Sequence, residues 1–409
     1  MPKQSYVSNP SRFSTVSQRL LPGLCGAALV LAGSSLLSTA VAAEPVKLGM
    51  ITTLSTKGGY LGEDMRDGFK LAVEQGKGSL GGIPVELLVD DDAGDPQKGK
   101  QIAERMIKSD KVDMMTGIMF SNVAMAVVPS VLKDGLFFVG ANAAPAPFAG
   151  KMCNPNYFNV AYQNDNMHEA MGEYLTQQGY KSVFLIAPNY PAGKDALTGF
   201  KRFYKGEVKQ EVYTKLDQSD YAALISQIRA DKPDAVFYFL PGGLGVNFLK
   251  QYDQAGMKSE VKIFGPGFSF DRRLLGAVGA AAEGVMNSSE WNDDLPAAGN
   301  AEFVQAFHTA YGRYPTLYAA QAYDAANLIG SALKQVDGKL DDKDAVRKAL
   351  MAADFSSVRG SFRFNTNHHP IQDIYVRQVI KLDDGSYANK TVSKVFEQHQ
   401  DAYVGECKL

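Results

Sequence analysis

Short apolar runs alternate with helically spaced apolar positions along this chain from residue 46 onward. Residues 46–54 (VKLGMITTL) form a continuous apolar run of strand length, as expected of a strand buried on both faces. Residues 60–78 then place Leu61, Met65, Phe69, Ala72 and Val73 at helical spacing. Residues 83–89 predict a second strand. Asp95-Pro96 opens the next helix with an N-cap followed by proline at N1, and Ile102, Met106 and Ile107 form its apolar face. A strand at 112–119, a helix capped by Ser121 or Asn122 that carries Val123, Val127, Val128 and Val131, and a strand at 136–140 complete the first series. Strands alternating with helices predict a parallel, doubly wound α/β sheet.

The stretch LFFVGANAAPAPFAGKMCNPNYFNVAYQND (136–165) breaks this rhythm. It reads as a strand that ends one lobe, a small-residue loop that faces a ligand, and a crossover into a second lobe. The alternation then restarts, with helices expected at 165–179, 193–204, 221–230 and 245–256. Strands are expected at 182–188 (SVFLIAP), 207–213, 235–240 (AVFYFL) and 261–265, and a short helix at 272–278 leads to a strand at 284–288. Helices at 300–311, 317–336 and 344–352 follow. Strands at 361–364 and 374–382 come next, with a hairpin turn at Asp383-Asp384-Gly385.

The 409 residues suit two domains, with an ordinary 45% apolar content. A net charge of −2 gives no reason to expect a nucleic-acid partner. Residues 1–43 hold Lys3, Arg12 and Arg19 but no acid, then an apolar run that ends in small residues near Ala43. This is the pattern of a signal peptide for export to the periplasm. Leu24 stands before Cys25 where a lipidation signal uses a small residue. Beyond residue 43 no apolar stretch approaches the length of a membrane-spanning helix. Two cysteines remain there, Cys153 and Cys407, and an exported chain of this size is expected to pair them.

Catalytic and metal chemistry find little support. KGGYLGED (57–64) matches a dinucleotide fingerprint only in part, so no cofactor is expected, although the helix start at Tyr60 and Leu61 can face a ligand. Asp90–Asp92 with Asp95 lacks the order of a calcium loop and reads as a solvated strand end and helix cap. His368-His369 are adjacent and point apart in an extended chain, and His168-Glu169 lacks a second histidine four residues on. There is no G-x-S-x-G elbow, so neither an enzyme nor a metal site is expected. What recurs instead is polar and aromatic residues where strands end. These are Ser121 and Asn122, Asn142 to Ala144, Asn189 and Tyr190, Gly242 and Gly243, Phe268 and Ser269. In open α/β sheets the ligand crevice lies beyond those ends, and two facing lobes enclose it.

VKLGMITTLS, VDDDAGDPQKGKQIAERMI, KVDMMTGIMFSNVAMAVVP, FFVGANAAP, CNPNYFNVAYQND, VFLIAPNYPAGKDALTGFK, DAVFYFLPG, IFGPGF and YPTLYAAQAYDAANLI resemble the solute-binding proteins of ABC importers, in the branch typified by leucine/isoleucine/valine-binding proteins. The resemblance spans essentially all of 44–409. It implies a monomeric venus-flytrap with crossovers near 148–162, 286–296 and 356–362. The first lobe would then comprise 44–155 and 289–358, and the second 156–288 and 359–409. It also implies permease subunits as partners. The ligand carboxylate would meet the turn Met119–Asn122, with Phe120, Ser121 and Asn122, and the turn Ala141–Ala144, with Asn142, Ala143 and Ala144. The loops at Tyr190, Leu240–Gly242 and Gly267–Phe268 would close from the second lobe, with Trp291 near the hinge.

Two departures bear on the ligand. Amino-acid binders of this branch place a hydroxyl where Ala143 stands, and an acid after the GP of the loop that reads GPGF here. Both groups hold an ammonium, and a buried ammonium without a carboxylate is costly. The expected ligand is therefore an amine-free carboxylate such as an aromatic acid. An amino acid is the alternative, and a ligand sensor of the same fold is a third reading.

Overall fold

The computed structural model describes residues 44–56 and 58–409, so the expected signal peptide lies outside the described residues. The first series comprises β1 (Val46–Thr52), α1 (Gly59–Gln75), β2 (Ser79–Leu80), β3 (Ile83–Asp91), α2 (Pro96–Arg105), β4 (Met114–Gly117), α3 (Ser121–Lys133), β5 (Phe137–Gly140), α4 (Ala146–Ala149) and β6 (Tyr157–Asn159). Its strands form a six-stranded sheet in the order β2-β3-β1-β4-β5-β6, parallel except for β2.

The second series is α5 (Asn166–Gln177), β7 (Ser182–Pro188), α6 (Pro191–Phe203), β8 (Glu207–Thr214), α7 (Ala222–Asp231), β9 (Ala235–Tyr238), α8 (Gly243–Gln254), α9 (Met257–Glu260), β10 (Lys262–Pro266), α10 (Arg272–Val278) and β11 (Met286–Ser289). The chain then returns to the first lobe as α11 (Asn300–Tyr311), α12 (Leu317–Gln335) and α13 (Lys343–Ala352), with α12 packed along α1. It ends in the second lobe as β12 (Phe362–Phe364), β13 (Pro370–Lys381) and β14 (Tyr387–His399). That lobe's eight-stranded sheet runs β12-β13-β11-β10-β9-β7-β8, with β14 paired to β13. Strands such as Ala235–Tyr238 are buried along their whole length because helices cover both faces, which is why they read as unbroken apolar runs.

Three expectations need correction. Residues 157–159 belong to the first lobe and not to the second: β6 pairs in parallel with β5, completing that sheet, so the first crossover begins at Val160. The second sheet extends through Ser289, which pairs with Tyr375 and moves the next boundary past 288. Asp92 is buried, not solvated, and accepts hydrogen bonds from the Thr53 hydroxyl (2.6 Å) and the Gly94 N–H (2.7 Å). Asp95 does cap α2, accepting from the N–H groups of Gln97 and Lys98.

The crossovers are pinned by buried arginines. Arg359 pairs with Asp324 of α12 at 2.8 Å and donates to the carbonyls of Val160 and Ala161 and to Gln372 of β13, so one guanidinium ties two crossovers to both lobes. Arg377 of β13 donates to Asn287 of β11 and to the carbonyl of Trp291, and the indole N–H of Trp291 donates to Asn300 at 2.8 Å. Cys153, just after α4, forms a disulfide with Cys407 (Cα–Cα 5.6 Å), joining the first lobe to the C-terminal tail. His368 and His369 are buried, with His368 stacked on Phe158 at 4.0 Å, and among the described residues no cluster of three or more acidic, histidine or cysteine side chains could hold a metal ion.

Candidate functional site

Each sheet has one place where the strand order reverses. In the first lobe it lies between β1 and β4, because β1 sends its successor β3 to one side and β4 to the other. In the second it lies between β7 and β9, with β8 on the far side of β7. Loops diverge at such points and leave a crevice beyond the strand ends. The residues that follow β4, β7 and β9 meet there, and the two crevices face each other across a cavity.

The first lobe contributes Leu61, Met119, Phe120, Ser121, Asn142, Ala143 and Tyr318, the crossover Tyr162 and Asn164, and the second lobe His168, Tyr190, Ala192, Phe239, Pro241 and Phe268. Among the described residues no charged side chain lines it.

The turn after β4 is set by backbone that few residues tolerate. Gly117 has φ 104°, and a Cβ there would stand 2.4 Å from the carbonyl oxygen of Ile51. Ile118 follows with φ 63°, a β-branched residue in the left-handed region, held by its N–H donating to Ile51 O at 2.7 Å. This turn brings the Met119 carbonyl to the Asn142 amide, which donates to it at 2.7 Å, and the Tyr162 hydroxyl donates to Asn142 Oδ1 at 2.7 Å. Asn164 donates to Ser121 Oγ at 3.1 Å, leaving the Ser121 hydroxyl hydrogen free for another acceptor.

Helix ends sharpen the polarity of this wall. Asp95, Asp271 and Asp342 cap α2, α10 and α13 with their carboxylates. Like most helices of the chain, α3 and α6 have no side-chain cap; Phe120 and Tyr190 stand at their N-cap positions. The first-turn N–H groups of α3 therefore lack intrahelical acceptors and carry the positive end of the helix dipole to the cavity. The second lobe supplies aromatic surface instead: Tyr190 stacks near Phe239 (6.3 Å), Phe239 meets Phe268 edge-on (5.5 Å), and Tyr162 reaches Phe268 from the crossover (5.4 Å).

The lobes are closed over the cavity. Asp195 of α6 accepts from the Ala146 N–H (3.1 Å) and from Asn164 (2.9 Å), and burial raises its carboxyl above the usual carboxylate range. On another rim Arg273 of α10 reaches Glu63 (2.8 Å) and Asp64 (3.1 Å) of α1. Gly242 starts α8 at φ 63° and lies against Tyr60, whose hydroxyl would stand 3.1 Å from a Cβ at that position.

Among the residues expected from sequence, Leu61, Phe120, Ser121, Asn142, Ala143, Tyr190 and Phe268 line the cavity. Tyr60, Asn122 and Gly242 line a groove outside it. Leu240 and Ala144 are turned to support, the first accepting from Ser269 Oγ and the second donating its N–H to Asn164. Trp291 sits in the second crossover and not in the cavity wall. Sequence reasoning missed Tyr162, Asn164, His168, Ala192, Phe239 and Tyr318. A histidine within an apolar helical face just after a crossover was the one available signal for His168.

Two α/β lobes that close a neutral, aromatic cavity between their switch points define a ligand-enclosing binding protein. A family model described as periplasmic binding protein matches residues 45–386, and the chain belongs to that family. Its role is that of the solute-binding component of an ABC transporter, a class that delivers small molecules to permease subunits. The "Leu/Ile/Val-binding protein homolog 6" of Brucella melitensis is 28% identical over 380 residues, covering 91% of this chain and 96% of that protein. A solute-binding protein of an ABC transporter from R. palustris, solved with benzoate, is 30% identical with a TM-score of 0.84, covering 89% of this chain and all of the other. Another from Rhodopseudomonas palustris BisB5, solved with 3,4-dihydroxybenzoic acid, is 29% identical with a TM-score of 0.80 over 88% of this chain and 99% of its own. Among the described residues no helix is long and apolar enough to cross a membrane.

Proposed function

We propose that this solute-binding protein captures a small aromatic carboxylate that carries no amine. The observation that carries this reading is the cavity lining: neutral among the described residues, aromatic on the second lobe, and rich in hydrogen-bond donors at the start of α3. A carboxylate fits such a wall because the Ser121 hydroxyl and the first-turn amides donate to it and the helix dipole favours its charge. An ammonium would be enclosed with no carboxylate against it, a costly arrangement. Phe239, Phe268 and Tyr190 would cover a ring as the lobes close. The complexes of the R. palustris neighbours with benzoate and 3,4-dihydroxybenzoic acid are in line with this.

Branched-chain amino acids are the second reading, favoured by the names of the Brucella relatives. A thermal-shift panel of aromatic acids, aliphatic acids, amides and amino acids separates the two. A ligand present at 100 times its Kd adds about 2.7 kcal/mol of stability. The aromatic acids should raise the melting temperature most; stabilisation by branched-chain amino acids alone would replace this reading with the second.

A further inference from the structure

His168 stands on the first turn of α5, 1% exposed, and lines the cavity. Its ring is held by Phe239 (4.9 Å), Phe237 (5.8 Å) and Phe268 (6.1 Å), all in angled or edge contact. Its Nδ1 makes no hydrogen bond. Of the buried amides of the wall, Asn142 is occupied by Met119 and Tyr162, and Asn164 by Ser121, Asp195 and the Ala144 N–H. Among the described lining residues, His168 alone keeps a buried polar atom without a partner.

We infer that His168 reads a ring hydroxyl on the bound acid, so that the protein selects hydroxylated aromatic acids over the unsubstituted ring. The inference rests on the reading of the cavity as a site for an amine-free aromatic acid. Burial pushes the imidazole down to about 3, so it is neutral at any physiological pH, with one N–H and one lone pair. A phenolic hydroxyl both donates and accepts, and so satisfies either tautomer. An unsubstituted ring leaves the nitrogen unpaired once the lobes close, which is the condition under which a site rejects an analogue lacking the polar group. A ligand ammonium gains little here, because one neutral acceptor does not replace the solvation of a buried charge.

Titrate the purified protein with 4-hydroxybenzoate, 3-hydroxybenzoate, 4-methylbenzoate and benzoate, then repeat with His168→Phe and His168→Gln. The methyl compound fills the volume of a hydroxyl without its hydrogen bond. The wild type should bind one of the hydroxybenzoates ~10–100-fold more tightly than benzoate and 4-methylbenzoate. His168→Phe should remove most of that ratio by weakening the hydroxylated ligand while leaving benzoate unchanged or tighter, and His168→Gln should restore part of it. Aromatic acids bound with no preference for a hydroxyl, or a preference that survives His168→Phe, would overturn the role of His168 and leave the proposed function standing. A wild type that binds none of the four at millimolar concentration would overturn both. If His168→Phe fails to fold, which the melting temperature without ligand reports, His168→Leu takes its place with the same expected loss of the hydroxyl preference.

Discussion

The hinge and the cavity are both buried, and they treat polarity in opposite ways. In the hinge Arg359, 3% exposed, is paired with Asp324 and donates to two carbonyls and an amide, while Arg377, 2% exposed, donates to Asn287 and the Trp291 carbonyl. Charge is present there, and every guanidinium is hydrogen-bonded. In the cavity no described side chain is charged, α3 and α6 start without a side-chain cap, and His168 keeps an unpartnered nitrogen. A buried polar network that completes itself fixes geometry. One left incomplete beside an empty volume has room for a group from elsewhere.

The contrast breaks most sharply at the hinge. Arg359→Ala leaves Asp324 buried without its cation, and should cost about 3–5 kcal/mol in denaturant unfolding. A loss under 1 kcal/mol would mean the pair is as dispensable as a surface one. At the cavity the balance should invert. Ser121→Ala and Tyr190→Ala should each weaken ligand binding by about 1–3 kcal/mol in calorimetric titration while leaving the unliganded melting temperature nearly unchanged. Val127→Ala, on the buried face of α3, is the control: it should lose about 1–3 kcal/mol of stability and keep its affinity.

A smaller effect comes from Asp271, the cap of α10, whose carboxyl burial raises to about 7, with Asp64 adding to the shift. An acid whose folded value exceeds its unfolded one, near 4, stabilises the fold below that unfolded value and loses this contribution as pH rises through the folded value. Unfolding free energy should therefore fall between about pH 4 and 7, by at most about 1.4 kcal/mol per unit for one such group. Asp271→Asn should flatten its share of the slope in urea titrations at several pH values.

Much of the scaffold was legible because strands covered on both faces spell apolar runs, as in SVFLIAP and AVFYFL, and the covering helices keep their spacing. The helices at Arg272–Val278 and Asn300–Tyr311 match their expected limits. The crossovers were not legible: YFNVAY has no period that separates a last strand, β6, from the extended link after it. The end of β14 was not legible because one face is exposed and its charges break the apolar run. At the cavity the strand-end rule reached Ser121, Asn142, Tyr190 and Phe268. It could not reach Tyr318, at the start of a helix apolar on most faces, or Phe239, hidden within the apolar run it ends. His168 and Asn164 become cavity residues only when the lobes meet, a relation that sequence spacing does not encode.

This cavity should take a carboxylate and refuse an ammonium. The most direct measurement is calorimetric titration with matched pairs that differ only by the amine: 3-phenylpropanoate against L-phenylalanine, and 4-methylpentanoate against L-leucine, with benzoate as reference. The amine-free acid should bind more tightly in both pairs, by at least tenfold, with an aromatic acid tightest of all. Tighter binding of the amino acid in either pair would place a cation partner in the cavity that its neutral lining does not provide, and would contradict the claim.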